Sequence, residues 1–365
     1  MASEFMQAAR LHGNHDIRID EVPIPIPKAD EVLIEIEWCG ICGSDLHEYT
    51  DGPTAASSMP HPLTNEAMPA IMGHEFCGTI HSAPENSSFK PGQAVMVDPR
   101  LHCRTCSRCT QGATHACTSW GFRGYHGKGG GLSEFIAVEE RLVHLLPGVE
   151  SLAVAALIEP LAVAVHAVKM SGISDFAGKA VLILGGGPIG IVTLTVLRMK
   201  GAAKIFLSEP TAKRRLQCEA LADRVFDPFG EEIGDGCRSL TGGEGVDFVF
   251  DCAGSPPGML DGMDALTWAG SYINVAGWVK PFVIPMQYAF LKEITIKYTF
   301  CYDDDDFRET VEAFRAGAFQ SIEQLVTSRI LLKDVVEKGF EQLLSNTDDH
   351  IKILVSPKRQ HSSSN

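Results

Sequence analysis

A chain of 365 residues exceeds the usual size of one hydrophobic core, so two domains are expected, and 45% hydrophobic with 21% charged residues is the balance of a globular protein. The formal net charge of -15 disfavours nucleic acid or an anionic membrane as a partner, because phosphate binding needs a concentrated basic surface that no segment supplies. The opening stretch MASEFMQAARLHGNHDIRIDE has neither an apolar core of signal-peptide length nor an uncharged run of about 18 residues, which sets the expectation of a cytoplasmic protein.

Short strands follow. EVLIEIEWCGICGSD alternates apolar and polar residues before a glycine-rich turn, the period of a half-buried strand, and GHEFCGTI, GQAVMVDPR and LSEFIAVEERLVHLLP repeat the habit. Residues 1–159 are therefore expected to form a mainly β domain. Within it, Thr50–Ala70 is proline-bearing and aperiodic, and reads as a surface loop. The texture changes at SLAVAALIEPLAVAVHAVKMSG, where alanine, leucine and valine suit helices and Pro160 marks a turn or the first turn of a new helix. Next, KAVLILGGGPIGIVTLTVLRMKGAAKIFLSEP has the proportions of a strand, glycine turn, helix and strand, one βαβ unit. VDFVFDCAG and AGSYINVAG continue the alternation, so residues 160–300 are expected to be an α/β domain around a parallel sheet. The end of the chain, residues 358–365, is small and polar and is expected to be a flexible tail.

Gly185, Gly187 and Gly190 have the GxGxxG spacing directly after an apolar strand, with Pro188 and Ile189 opening the helix that follows. Such a turn lets a pyrophosphate approach backbone N–H groups at a helix N-terminus. Glu209 ends the next strand, where a carboxylate accepts hydrogen bonds from the adenosine ribose hydroxyls and repels a 2′-phosphate, which favours NAD over NADP. Arg214 and Arg215 lie nearby, and a basic side chain over the ribose would tolerate that phosphate; Arg214 is placed in the cofactor site.

Eleven cysteines are too few for a disulfide-dense scaffold of this length. Cys103, Cys106, Cys109 and Cys117 can close a tetrahedral shell around Zn²⁺ from one loop of about residues 100–118; an iron–sulfur centre and a disulfide knot are the alternative readings. His102 and His115 flank the four and are expected in solvent, whereas Cys218, Cys237, Cys252 and Cys301 read as buried small hydrophobes. A second set, Cys42, His74 with Glu75, and Glu159, offers one thiolate, one imidazole and one carboxylate, leaving a fourth position for water or a substrate oxygen.

Taken together, CGICGSDLHEYTDGP, MGHEFCG, the four cysteines, LIEPLAVAVHAV, LGGGPIG, SEP, GVDFVFDCAG and LVTSRILLKDVVEKGFEQL resemble the zinc-dependent medium-chain dehydrogenase/reductase family, in its 2,3-butanediol dehydrogenase branch beside the sorbitol and xylitol dehydrogenases. The resemblance runs from about residue 7 to residue 357 and implies an α/β Rossmann domain plus a mainly β GroES-like catalytic domain, the latter largely completed by residues 301–357. It implies NAD and two zinc ions per subunit, a catalytic one on Cys42, His74 and Glu159 with Glu75 beside or transiently in the shell, and a structural one on the four cysteines. By the same resemblance zinc would act as a Lewis acid on a secondary hydroxyl, Ser44 would take its proton toward His47, and hydride would pass to the nicotinamide. The implied substrate is a vicinal diol, 2,3-butanediol with acetoin, or else a polyol such as sorbitol or xylitol. A homodimer or homotetramer is expected. The rival of another class is a nucleotide-binding structural or regulatory protein without the reaction, which a missing ligand or relay residue would betray, and none is missing. Two departures from the family pattern bear on substrate preference: GYHGKGGGLSEF is an altered glycine-rich stretch, and Cys77, where serine or alanine is commoner, is expected to add sensitivity to oxidation.

Overall fold

The strand Glu31–Gly40 organises the first part of the chain, pairing with Glu75–Ser82, with Phe135–Glu139 and with Lys352–Ser356, all antiparallel. We describe it in a computed structural model covering residues 4–278, 281–284, 286–319, 322–346 and 348–358. Residues 359–365 of the expected tail lie outside the described residues, while Lys358 Nζ donates to Glu37 Oε1 at 3.1 Å.

The chain divides into two units. Met1–Glu159, Asp303–Gly317 and Val326–Asn365 make the first, Pro160–Tyr302 and Ala318–Leu325 the second. In the first unit a seven-stranded sheet runs Val143–Leu145, Ala94–Val97, Glu75–Ser82, Glu31–Gly40, Lys352–Ser356, Val326–Leu331, with Phe135–Glu139 also on Glu31–Gly40. Central position overrides the alternating pattern of Glu31–Gly40. Val32, Leu33, Ile34, Ile36 and Cys39 are all buried, so this strand is covered on both faces, whereas Phe135–Glu139 keeps the half-buried alternation. Two strands close to the C-terminus thus belong to the sheet built by the N-terminal residues, with Val355 opposite Cys39 and Leu354 opposite Gly40.

After Gly40 the chain turns into the helix Gly43–Thr50. The segment from Asp51 to Pro69 has no helix or strand, as its aperiodic sequence predicts, yet its start is pinned. Glu48, buried on the helix, accepts the N–H groups of Thr54, Ala55 and Ala56 at 3.0, 2.6 and 3.1 Å.

The second unit carries six parallel strands in the order Arg224–Phe226, Lys204–Ser208, Ala180–Leu184, Val246–Asp251, Leu266–Asn274, Thr295–Tyr298. Numbered along the chain this is 3-2-1-4-5-6, the doubly wound dinucleotide-binding order, whose switch point lies at the C-terminal ends of the first and fourth strands. Ala180–Leu184 is buried at every residue, as a central parallel strand covered on both faces must be. Pro160 sits in the first turn of the helix Ile158–Lys169, where its missing N–H costs nothing. Among the described residues one stretch, Leu152–Lys169, is long and apolar enough for a membrane span, and 78% of it is buried inside the protein.

Candidate functional site

Cys42 stands at the N-cap of the helix Gly43–Thr50, and its backbone N–H donates to Asp45 Oδ2 at 2.9 Å, which fixes how the first helical turn leaves the sheet. His74 follows Gly73, whose φ of +89° and close approach to Cys39 and Leu132 admit no side chain. The imidazole is buried, with Nδ1 3.4 Å from Asp45 Oδ1 and Nε2 3.4 Å from Ser44 Oγ. Asp45 therefore orients the ring from behind, as carboxylates do for metal-binding histidines. Ligand atoms of Cys42, His74 and Glu75 all lie within 4.8 Å of one another.

Glu159 is outside that group. It is buried in the first turn of the helix Ile158–Lys169, and its charge acts on Lys352. Lys352, which sequence reasoning missed, is 2% exposed and donates to both oxygens of Glu75 at 2.7 Å and to the carbonyl of Ile41 at 3.2 Å. Burial would lower its pKa, but Glu75 and then Cys42 raise it above the ordinary lysine value. The signal was present in HIKILVSP, where a lysine interrupts an apolar strand that only a buried carboxylate would tolerate. His74 shows the same balance: burial lowers its pKa, yet Asp45 and Cys42 raise it well above the usual histidine range. A field that retains a proton there equally attracts a cation, and thiol, imidazole and carboxylate together suit zinc.

Ser44 and His47 are exposed, three residues apart on the same helix. His47 Nδ1 lies 3.4 Å from Asp51 Oδ2. Tyr125, also missed, brings its hydroxyl to 3.0 Å from Ser44 Oγ and 2.9 Å from Asp45 Oδ1.

In the four-cysteine lobe every thiol lies within 4.8 Å of the others, with Cys103 Sγ 3.4 Å from Cys117 Sγ and 4.0 Å from Cys109 Sγ. A tetrahedral ZnS₄ shell with bonds of about 2.3 Å needs sulfur separations of about 3.8 Å, so the lobe fits zinc. All eleven cysteines are free thiols in the structure. Backbone N–H groups of Cys103, Cys106 and Ser119 point at the sulfurs at 3.3 Å and favour thiolates. Hydrogen bonds from Thr105 bring Cys103 down to about 7, and the backbone bond associated with Cys109 brings Cys106 to about 5, whereas burial pushes Cys109 up to about 12. His102 is not in solvent. It is buried, 3.1 Å from the Arg141 guanidinium and 3.8 Å from Asp304, beside the buried Arg100 that pairs with Asp98 and Asp304. His115 is partly buried. Cys77 is fully buried and donates to the Leu152 carbonyl at 2.9 Å, and burial pushes its pKa up, so it is a protected thiol rather than an oxidation-sensitive one. Of the other four, Cys218 and Cys237 are buried as expected, while Cys252 and Cys301 are only partly so.

In the second unit Gly185 has φ +96° and its N–H bonds Ser208 O at 2.8 Å. A Cβ on Gly190 would meet Gly185 O at 1.9 Å, whereas one on Gly187 would meet nothing, so the turn is tight on one side and open where a phosphate would sit. Pro188 and Ile189 begin the helix Pro188–Met199, whose first N–H groups have no intrahelical acceptor. Glu209 is buried and already accepts Gly186 N–H at 2.7 Å and Thr211 N–H at 2.8 Å; each carboxylate oxygen retains a second lone pair. Arg215 is engaged by the carbonyls of Glu209 and Pro210 and by Asp227, while Arg214 Nε meets no hydrogen-bond partner among the described residues.

Residues 28–148 match the alcohol dehydrogenase GroES-like domain and residues 188–316 the zinc-binding dehydrogenase domain. The chain belongs to the zinc-dependent medium-chain dehydrogenase/reductase family and is an alcohol dehydrogenase of that class. Within the family it is similar to the (R,R)-butanediol dehydrogenase of Neisseria gonorrhoeae, at 37% identity over 96% of this chain and 99% of that protein. The crystal structure of 2R,3R-butanediol dehydrogenase from Bacillus subtilis matches with a TM-score of 0.89 at 36% identity, covering 97% of this chain and 100% of that one. D-xylulose reductase A of Aspergillus niger is 28% identical over 91% of this chain and 92% of that protein.

Proposed function

We propose that the enzyme oxidises a vicinal secondary diol to a hydroxyketone and catalyses the reverse reduction, with 2,3-butanediol and acetoin as the pair, NAD as cofactor and two zinc ions per chain. The observation that carries this reading is the cluster of Cys42, His74 and Glu75 beside exposed Ser44, in a chain 37% identical to (R,R)-butanediol dehydrogenases. The catalytic zinc would be held by Cys42, His74 and Glu159, the set the family resemblance implies, with Glu75 beside the shell and paired with Lys352. Cys103, Cys106, Cys109 and Cys117 would hold the second ion. When bound, zinc supplies a Lewis acid and the nicotinamide a hydride acceptor. Ser44 Oγ takes the substrate proton while giving up its own, and His47, one helical turn on and exposed, hands it to water. Asp45 keeps the His74 ring in one orientation and Lys352 holds the Glu75 carboxylate in place.

NAD is favoured over NADP because the remaining lone pairs of Glu209 suit ribose hydroxyls and Arg215 is already committed; Arg214 is the basic group left for the adenosine end. The GroES-like domain is read as residues 1–159 with most of 301–357, the Rossmann domain as 160–300, and the protein as cytoplasmic. A homodimer or homotetramer is supported by the edge strand Thr295–Tyr298, flanked by Trp268, Met286, Phe290, Leu291 and Phe300, each more than half exposed. An apolar sheet edge of this kind is covered in a stable protein, here by a second copy. A sugar alcohol is the second reading, favoured by the D-xylulose reductase relatives.

Steady-state rates with NAD across the 2,3-butanediol stereoisomers, sorbitol and xylitol test the assignment. The (R,R) diol is expected to give the highest kcat/KM; preference for xylitol or sorbitol would replace the diol reading.

A further inference from the structure

The stretch VDFVFDCAG belongs to neither zinc cluster nor to the glycine turn, yet it ends at the switch point of the parallel sheet. Asp251 closes the fourth strand, Val246–Asp251, opposite Leu184 of the first, and Gly185 follows Leu184 directly. A dinucleotide crossing a doubly wound sheet passes over both strand ends, with its pyrophosphate on the glycine turn of the first half and its other nucleoside on the second half.

Asp251 is 1% exposed, and donors surround its carboxylate. Oδ1 accepts the N–H groups of Ala253 and Gly254 at 3.0 and 2.9 Å. Oδ2 accepts the hydroxyl of Tyr272, fully buried on the neighbouring strand, at 2.8 Å. The main-chain carbonyl of Asp251 takes the N–H groups of Val275 and Ala276, both at 2.9 Å, so one residue ties down the loops that follow the fourth and fifth strands. Cys252 N–H bonds Leu184 O at 3.0 Å, and a Cβ on Gly185 would come 3.2 Å from Ala253 Cβ. The exposed Ala253 therefore lies against the glycine turn.

A strand-to-helix junction of this kind binds anions when its N–H groups face outward. Here Ala253 and Gly254 turn theirs inward to Asp251, Pro256 and Pro257 open the helix Pro256–Ala265 with none, and Gly258 gives its own to Ser255 Oγ at 3.2 Å. From Cys252 to Met259, Ser255 alone keeps an N–H without an acceptor among the described residues. The helix Pro188–Met199, by contrast, leaves its early N–H groups without intrahelical acceptors. Phosphate thus finds its donors at the first junction, and the second suits a nucleoside.

We propose that Asp251, held by Tyr272, is a positioning residue for the cofactor. It keeps the Cys252–Gly254 loop against the Gly185 turn with its N–H groups withdrawn, so that the dinucleotide settles with its pyrophosphate on that turn and its nicotinamide nucleoside beside the loop. The inference rests on the reading of NAD as the cofactor.

Calorimetric titration of the zinc-loaded protein with NADH and, separately, with ADP, which lacks the nicotinamide nucleoside, tests this. Asp251→Ala is expected to weaken NADH binding about tenfold and to leave ADP binding unchanged. Asp251→Asn should recover most of the NADH affinity, because its amide oxygen still accepts both N–H groups while its NH₂ faces the Tyr272 oxygen. Should Asp251→Ala fail to fold, Tyr272→Phe takes its place; it leaves the carboxylate but frees it to rotate, and the same split is expected at about threefold. Equal losses for NADH and ADP, or no loss of either, overturn the inference, as does an Asp251→Asn protein as impaired as Asp251→Ala. A wild-type chain that binds neither NADH nor ADP overturns instead the reading of NAD as cofactor.

Discussion

The four-cysteine lobe and the Cys42–His74 cluster lie in one unit and are built in opposite ways. The lobe draws all its ligands from Cys103 to Cys117 and points backbone N–H groups at them, so a short loop and a metal suffice to define it. The other cluster collects Cys42, His74, Glu75 and Lys352 from distant parts of the chain and fills its interior with charge. There the sheet, not the loop, sets the geometry: Gly40 faces Glu75 across one strand pair and Leu354 across another. A site of the first kind adds stability to its surroundings, while one of the second kind draws on stability supplied elsewhere and can devote its groups to chemistry.

The largest effect expected from breaking the second site is catalytic. Ser44→Ala should reduce kcat about 10²–10⁴-fold, with both zinc ions retained, and His47→Ala should cost less because water replaces an exposed group. Wild-type rates across the pH range for Ser44→Ala would remove it from the relay. Lys352→Met asks how far that site leans on the fold. It strands a buried carboxylate and should destabilise the protein by about 3–5 kcal/mol in denaturant unfolding, a loss that Glu75→Gln in the same chain should largely reverse. A change below about 1 kcal/mol would mean that Glu75 has another counter-charge.

The pairing of Glu139 with the buried Arg123 and with Lys128 gives a pH signature. Burial raises the Glu139 pKa, but Arg123 and Lys128 more than offset this and hold it at about 2, below the ordinary 4.5. A depressed folded-state value contributes stability that is complete above the unfolded pKa and lost as pH falls from about 4.5 toward 2, on the order of 3 kcal/mol. Glu139→Gln should therefore be less stable at neutral pH and converge on wild type near pH 2; a constant gap across that range would rule the linkage out. The smallest effect concerns the nucleotide. NAD should exceed NADP in kcat/KM by about tenfold, or roughly 1.4 kcal/mol, and parity would point to Arg214 as a phosphate partner.

What could be read from the sequence divides along the same line. Cys103 to Cys117 and the Gly185–Gly190 turn are local devices, so their spacing reveals them. The relation of Glu75 to Lys352, 277 residues apart, depends on a C-terminal strand pairing with one near the N-terminus, and periodicity carries no such information. Glu31–Gly40 alternates in composition and is nevertheless buried on both faces, because three strands and their cover surround it. His102 is buried rather than in solvent for a related reason: the Arg100 and Asp304 pair beside it joins residues some two hundred positions apart. Tyr125 lay in a stretch whose altered glycines were visible, but only the folded turn brings its hydroxyl to Ser44.

Zinc content measured alongside thermal unfolding, in Cys106→Ser and in Cys42→Ser, tests the contrast between the two sites most directly. Each variant should fall from two zinc ions per chain toward one; Cys106→Ser should melt well below wild type, and Cys42→Ser should lose turnover while melting close to it. Two tightly held ions with unchanged melting in Cys106→Ser, or a collapse of stability in Cys42→Ser alone, would contradict the division into a metal that builds the fold and a metal that the fold positions.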